Sequence, residues 1–254
     1  MIRKIVYPLI YGYSRTKCLF WKGLIIEYAN TSKQRHRLFE YQGVKISWLG
    51  HDSFRIKNGK TVIIDPFKIR PILDKADILL ISHEHFDHLS LDDIKKVSSE
   101  KTTVVTIPAV KKELSSLRAK EVKAVKPGDK VVLGEISIDV VPAYNLNKFR
   151  EPGKPFHPKE DGKVGFIISI NGVRIYHAGD TDPIPEMKNF KTDIALLPVS
   201  GTYVMTPEEA GEAARMIKPK LAIPMHYGTI VGSENDAERF KQIAACPVQI
   251  LKPE

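Results

Sequence analysis

The chain has 254 residues, 43% apolar and 27% charged, with two cysteines and a net charge of +9. Its length and apolar fraction exclude a disordered or fibrous chain and allow a buried core. Cys18 and Cys246 are too few for a disulfide framework or a cysteine-only zinc site, and they fit a reducing cytoplasm. The positive charge raises nucleic acid, an anionic membrane or an acidic substrate as partners. It is uneven, however: residues 1–40 hold eight Lys and Arg against Glu27 and Glu40, a net +6. The remainder holds 31 basic and 28 acidic residues, a net +3.

The 1–40 arm interleaves its bases with Tyr7, Tyr11, Tyr13, Phe20, Trp21 and Tyr28. Its longest uncharged run, 5–14, is too short for a transmembrane segment and contains Pro8 and Gly12. Arg15, Lys17 and Lys22 interrupt any signal-peptide core. The arm suits packing on the main domain or on a second subunit of an oligomer, or peripheral contact with a membrane surface.

From residue 41 onward the composition shows no linker, and 41–254 reads as one domain. Strands are expected over 44–49, 53–57 and 61–65, the last two joined as a hairpin by Asn58-Gly59. A buried strand follows at 77–82, then a helix over 90–98 with Ser90 as N-cap and Asp93 three residues on. Residues 102–107 form a strand, 109–117 a helix, and 121–126, 130–133 and 135–141 further strands. The stretch 143–162, with three prolines and Gly153, reads as a long flap-like loop, a kind of segment that is usually functional. A second hairpin spans 163–170 and 173–177 through Asn171-Gly172. Residues 193–198 are a strand and 206–217 a helix with the capping box Thr206…Glu209 and Pro207 at its first position. Strand 220–225, helix 233–245 and strand 248–251 complete the chain. Both halves run from a β-meander into β/α alternation. That order predicts an α/β (α+β) fold, two sheets packed face to face with helices outside.

The chemistry lies in His83-Glu84-His85-Phe86-Asp87-His88, directly after the buried strand. Residues 83, 85 and 87 can point the same way in extended backbone. Imidazole and carboxylate suit a borderline divalent ion. Without an ion, these ionisable groups beside an apolar strand would be costly.

The H-x-H-x-D-H signature after a strand resembles the metallo-β-lactamase superfamily of hydrolases, and the resemblance extends over 41–254. It implies a four-layer αββα sandwich. Asp65 matches the carboxylate that orients the histidine loop, Asp180 the metal-bridging aspartate, and His226 the last histidine ligand. The start Trp48-Leu49-Gly50-His51-Asp52-Ser53-Phe54 is similar to the branch that includes ascorbate-6-phosphate lactonase. There the early histidine sits beside the metals, which gives His51 a supporting or substrate-contacting role. The chain departs from the family after the strand ending near Val141. Pro142-Ala143-Tyr144-Asn145 stands where a histidine ligand is usual. His157 is the expected substitute, with the Asn145 amide oxygen as the other candidate. His177 is read as structural support.

The resemblance therefore implies two divalent ions, zinc by default with manganese and others compatible. His83, His85 and His157 would hold one ion, Asp87, His88 and His226 the other, and Asp180 would bridge. A hydroxide activated by the pair would attack an ester, lactone or phosphodiester in a small-molecule or lipid-like substrate. Asp87 would also handle the proton. No serine elbow or cysteine–histidine pair offers another nucleophile. The alternative is an RNA- or DNA-processing nuclease of the same fold. A +3 catalytic region without room for a nuclease insert argues against nucleic acid as partner.

Overall fold

The computed structural model describes residues 38–70 and 74–254. Most of the arm, residues 1–37, lies outside them, and so does every expectation that rests on it.

The first sheet has seven strands in sequence order. They are β1 (Leu38–Tyr41), β2 (Val44–Gly50), β3 (Ser53–Asn58), β4 (Lys60–Ile64), β5 (Ile78–Ile81), β6 (Thr103–Thr106) and β7 (Glu121–Ala124). β1 to β4 form an antiparallel meander, and β4 to β7 run parallel. Parallel strands need crossovers, here built around α1 (Leu91–Val97) and α2 (Pro108–Glu113). β1 is a strand the sequence pattern did not anticipate, ahead of the first one expected at 44–49.

The second sheet combines β8 (Lys130–Leu133), β9 (Ile136–Pro142), β12 (Val164–Ile170), β13 (Val173–His177), β14 (Ile194–Pro198) and β15 (Leu221–Met225), in the order β15-β14-β13-β12-β9-β8. β13, β14 and β15 are parallel and the rest antiparallel. α3 (Pro207–Ile217) and α4 (Glu234–Ile243) pack on each other and against β14 and β15. One continuous apolar cluster draws on both sheets and on the helices, as an αββα sandwich requires. β5 and β14 are buried along their whole length, which explains their unbroken apolar runs.

Local signals carried most boundaries. Ser90 caps α1 by accepting from the Asp93 backbone N–H. Thr206 and Glu209 form the reciprocal box that starts α3. The Asn58-Gly59 and Asn171-Gly172 turns join the hairpins as expected.

Three expectations are corrected. The helix expected over 109–117 starts at Pro108 and ends at Glu113, before Ser115 and Ser116. Residues 248–251 make only one bridge, Val248 to Ala222, flanked by the Ala222 N–H on the Pro247 carbonyl and the Gln249 N–H on the Ala222 carbonyl. The 143–162 segment is not structureless. It contains a small hairpin of β10 (Phe149–Glu151) and β11 (Lys154–Pro155) and a 3-10 turn at Lys159–Asp161. Pro152-Gly153, with Gly153 at φ 74°, makes the hairpin turn. No helix among the described residues is long and apolar enough to cross a membrane.

Candidate metal centre

Strand ends from both sheets deliver the site. His83 follows β5, His51 and Asp52 lie between β2 and β3, Asp180 follows β13, and His226 follows β15. His157 arrives from the segment after β11. His51, Asp65 and His226 all adopt left-handed backbone, at φ 50°, 42° and 57°. Such conformations cost on the order of 1 kcal/mol or more each and persist where the surrounding fold holds a functional geometry.

Two groups of four side chains gather. In each, one candidate donor atom per residue lies within 4.8 Å of the others. The first group is His83, His85, His157 and Asp180. His83 Nε2 and His157 Nε2 stand 3.1 and 3.2 Å from His85 Nδ1, and 3.8 and 3.2 Å from Asp180 Oδ2. The second group is His51, Asp52, His88 and His226. Here Asp180 contributes its other oxygen: Oδ1 lies 3.2 Å from His88 Nε2 and 3.5 Å from His226 Nε2. The carboxylate of Asp180 thus faces both groups, one oxygen to each.

These separations fit cations. Two ligands of one tetrahedral ion with bonds near 2.1 Å stand about 3.4 Å apart. The second group also leaves Asp52 Oδ1 and Oδ2, His88 Nε2, His226 Nε2 and Asp180 Oδ1 buried without a hydrogen-bond partner. Buried polar atoms are ordinarily paired, so this convergence of unpaired atoms is what a metal position looks like when its ligands are described alone.

The surroundings orient the donors. Asp65 Oδ2 accepts from His88 Nδ1 at 2.9 Å, and Asp65 is itself held by the backbone N–H and hydroxyl of Ser82. Ser200 Oγ lies 2.9 Å from His226 Nδ1. Asn145 Oδ1 accepts from the His157 backbone N–H at 3.0 Å and from its Nδ1–H at 2.8 Å. His157 presents Nε2 to the cluster, and Asn145 fixes its tautomer from behind. His177 Nε2 bonds the backbone carbonyl of Asp52 at 2.8 Å.

Asp87, expected as a ligand of the second ion, lies at the edge of the second group. Its Oδ2 is 3.0 Å from His51 Nε2 and 3.8 Å from His88 Nε2, and it belongs to neither group of four. Asp52 also faces this group, with Oδ2 3.4 Å from His88 Nε2 and 3.8 Å from His226 Nε2. Sequence reading gave Asp52 no role, and the adjacent His51 was the only available signal. Burial lowers the His51 imidazole to about 4, so it is neutral at pH 7. Its Nε2–H then donates to the Asp87 carboxylate, which this bond helps hold below the usual range despite burial.

The rim is apolar in part. Phe86 is 68% exposed and packs edge-on against Phe67. Tyr203 is exposed and packs edge-on against Phe156, and Leu146 and Phe149 are exposed nearby in sequence. Tyr144 is buried and donates to Glu186.

Comparison with known proteins agrees with this geometry. Residues 45–226 match the model of the β-lactamase superfamily domain. A UPF0173 metal-dependent hydrolase of Archaeoglobus fulgidus is 33% identical over 233 residues, covering 83% of this chain and 96% of the relative. One from Koribacter versatilis is 32% identical over 232 residues, covering 84% and 97%. A Parabacteroides distasonis crystal structure, assigned to the metal-dependent hydrolases, superposes with a TM-score of 0.72 at 33% identity, covering 86% of this chain and 99% of that one. The chain belongs to the β-lactamase superfamily and, within it, to the UPF0173 metal-dependent hydrolases. The fold alone does not set the metal. CmlA, a diiron β-hydroxylase of Streptomyces venezuelae, shares it with a TM-score of 0.66 at 14% identity, over 84% of this chain and 53% of that one.

Proposed function

We propose that the chain is a dinuclear metal hydrolase acting on an ester, lactone or phosphodiester bond in a small-molecule or lipid-like substrate. The observation that carries this reading is the Asp180 carboxylate set between two donor groups, one oxygen to each. His83, His85 and His157 would hold one divalent ion and His88 and His226 the other, with Asp180 between them. Three imidazoles with one carboxylate oxygen suit zinc at the first position. When bound, the pair would supply an acidified water and Lewis-acid polarisation of the scissile oxygen.

The chain's own part is binding and proton transfer. Among Asp52, Asp65, Asp87 and Asp180, only the side chain of Asp87 has more than a trace of solvent access, 13% against 4% or less. Asp87 can therefore take a proton from the attacking water and release it to the leaving group or to solvent. His51 keeps the Asp87 carboxylate aimed through Nε2–H. Phe86 and Tyr203 on the ligand-bearing loops would seat an apolar part of the substrate. Low cysteine content supports a cytoplasmic location.

The test is hydrolysis by the full chain of a panel of aryl esters, lactones and bis-aryl phosphodiesters, with and without chelator. Turnover of one class that chelator abolishes and Zn2+ or Mn2+ restores is expected. Asp87→Asn should lower that turnover by about 10²–10⁴-fold with metal content unchanged. Turnover that survives complete metal removal would refute the reading.

A further inference from the structure

Exposed apolar surface is concentrated around the metal centre. Of the eight large apolar side chains exposed among the described residues, five stand on segments that carry or adjoin the donors. They are Phe86 in the histidine loop, Leu146 and Phe149 in the flap, Tyr203 after β14 and Ile230 after His226. Single exposed apolar residues need no explanation, but a cluster at the mouth of a site marks a place where something apolar binds.

Two aromatic pairs stand beside the donors. Phe86 meets Phe67 edge-on with ring centres 5.8 Å apart, and Phe67 lies 5.8 Å from the His51 ring of the second group. Tyr203 meets Phe156 edge-on at 4.7 Å, and Phe156 immediately precedes His157 of the first group. Each pair carries a cation. Lys68 Nζ lies 5.1 Å from the Phe67 ring centre, and the Arg150 guanidinium carbon 5.7 Å from the Phe156 centre. A cation at that range is attracted to the ring face.

The backbone holds these side chains in place. Lys68 at φ 48° and Tyr203 at φ 68° are left-handed, a conformation that bulky side chains rarely adopt. The Lys68 N–H donates to Asp93 Oδ2 at 2.7 Å, and the Tyr203 carbonyl accepts from Asn145 Nδ2 at 2.9 Å. The carboxylates of the histidine loop and of the β10–β11 hairpin are already engaged: Glu84 with Lys163, Asp87 with His51 and Glu151 with Lys154. Among the described residues, neither Lys68 nor Arg150 has a carboxylate partner.

We infer that the substrate is an amphipathic anion. An apolar stretch next to the scissile bond sits on Phe86 and Tyr203, and it ends in a negative group that Lys68 and Arg150 recognise. This rests on the hydrolase reading above. Lys68 and Arg150 lie one aromatic layer outside the donors, so they select the far end of the substrate and take no part in bond cleavage.

Two measurements on the full Zn2+-loaded chain test this. The first is calorimetric binding of octyl sulfate and octyl glucoside, both below their micelle concentrations. The double variant Lys68→Gln/Arg150→Gln should weaken octyl sulfate about 3–10-fold, the range for two exposed ion pairs, and leave octyl glucoside unchanged. Salt of about 0.5 M should remove most of that difference. Phe86→Ala and Tyr203→Ala should weaken both probes alike, and Lys218→Gln at the C-cap of α3 should weaken neither. The second measurement is turnover of a matched pair from the bond class that the panel above identifies, one ending in a methyl group and one in a carboxylate. For esters these are 4-nitrophenyl octanoate and the mono-4-nitrophenyl ester of suberic acid. The double variant should raise KM for the charged member with kcat unchanged, and should leave the neutral member unaffected. Equal loss of octyl sulfate and octyl glucoside in the double variant, or no loss of either, would overturn the substrate assignment and leave the hydrolase reading standing. A preference for octyl sulfate that appears only above its micelle concentration would also overturn it, by giving the rim to a lipid surface. A chain that hydrolyses no member of the panel would overturn the hydrolase reading, and the substrate assignment with it, whatever octyl sulfate does.

Discussion

Replacing Asn145 by alanine isolates how the flap builds the first metal position. Asn145 is 5% exposed, and its Oδ1 takes two hydrogen bonds from His157, from the backbone N–H at 3.0 Å and from Nδ1–H at 2.8 Å. The second bond fixes the tautomer that leaves Nε2 free to bind. Loss of such an orienting partner typically weakens metal binding about 10–100-fold, equivalent to about 1.4–2.7 kcal/mol. The first bond is structural. Without it the buried His157 N–H has no acceptor, which costs about 1–3 kcal/mol of folding stability. Asn145→Asp separates the two roles from the rest of the side chain. Its carboxylate accepts both bonds and raises the basicity of the imidazole, but it cannot make the Nδ2 bond to the Tyr203 carbonyl at 2.9 Å. Chelator competition for Zn2+ and urea denaturation of the apo chain measure the two quantities. Asn145→Ala should be weakened in both, and Asn145→Asp should recover metal affinity. An alanine variant within about 3-fold of wild-type affinity, or an aspartate variant as weak as the alanine one, would refute the orienting role.

Three other predictions follow from the geometry. A Cβ at Gly165 would lie 2.7 Å from the His177 carbonyl oxygen and 2.8 Å from that of Ala178, just before Asp180. Gly165→Ala should therefore cost about 1–3 kcal/mol or more in urea denaturation and displace the β13 end that leads to Asp180. In the metal-free chain, burial pushes the Asp52 carboxyl up to about 8. The His226 imidazole, although burial lowers it, is held at about 9 by the Asp52 and Asp180 carboxylates. Ligands must shed protons to bind metal, so affinity should rise as pH rises through roughly 7 to 9. Calorimetry at pH 7 in buffers of different ionisation enthalpy should report net proton release, and its absence would refute the protonated apo cluster. Finally, Thr206→Ala removes the acceptor of the Glu209 N–H at 3.2 Å that starts α3, and should lower stability by about 1 kcal/mol in thermal unfolding without changing the metal count.

How much of this was legible beforehand varied with the kind of information. Ser90, Thr206 and the two Asn-Gly turns announced element boundaries because caps and tight turns are decided by a few adjacent residues. The flap hid its small hairpin, because three-residue pairing around Pro152-Gly153 has too little periodicity to stand out. The cluster at 83–88 was legible because several ligand types fall within one loop after an apolar strand. Asp180 and His226 could be placed through the resemblance to the metallo-β-lactamase superfamily, whose ligands also stand at strand ends.

By itself, then, the sequence determined the αββα layering, the histidine loop and the strand ends that meet at one edge. All three depend on local periodicity and spacing. The tertiary structure decided which oxygen and nitrogen atoms face one another. It turned Asn145 from a candidate ligand into the acceptor behind His157, paired Asp87 with His51, and buried Asp52 against His88 and His226. Those outcomes depend on left-handed backbone at His51 and His226, which a non-glycine residue does not advertise, and on carboxylates brought together from loops more than a hundred residues apart. A side chain's direction and its partners are properties of the packed molecule, set by contacts between segments far apart in sequence.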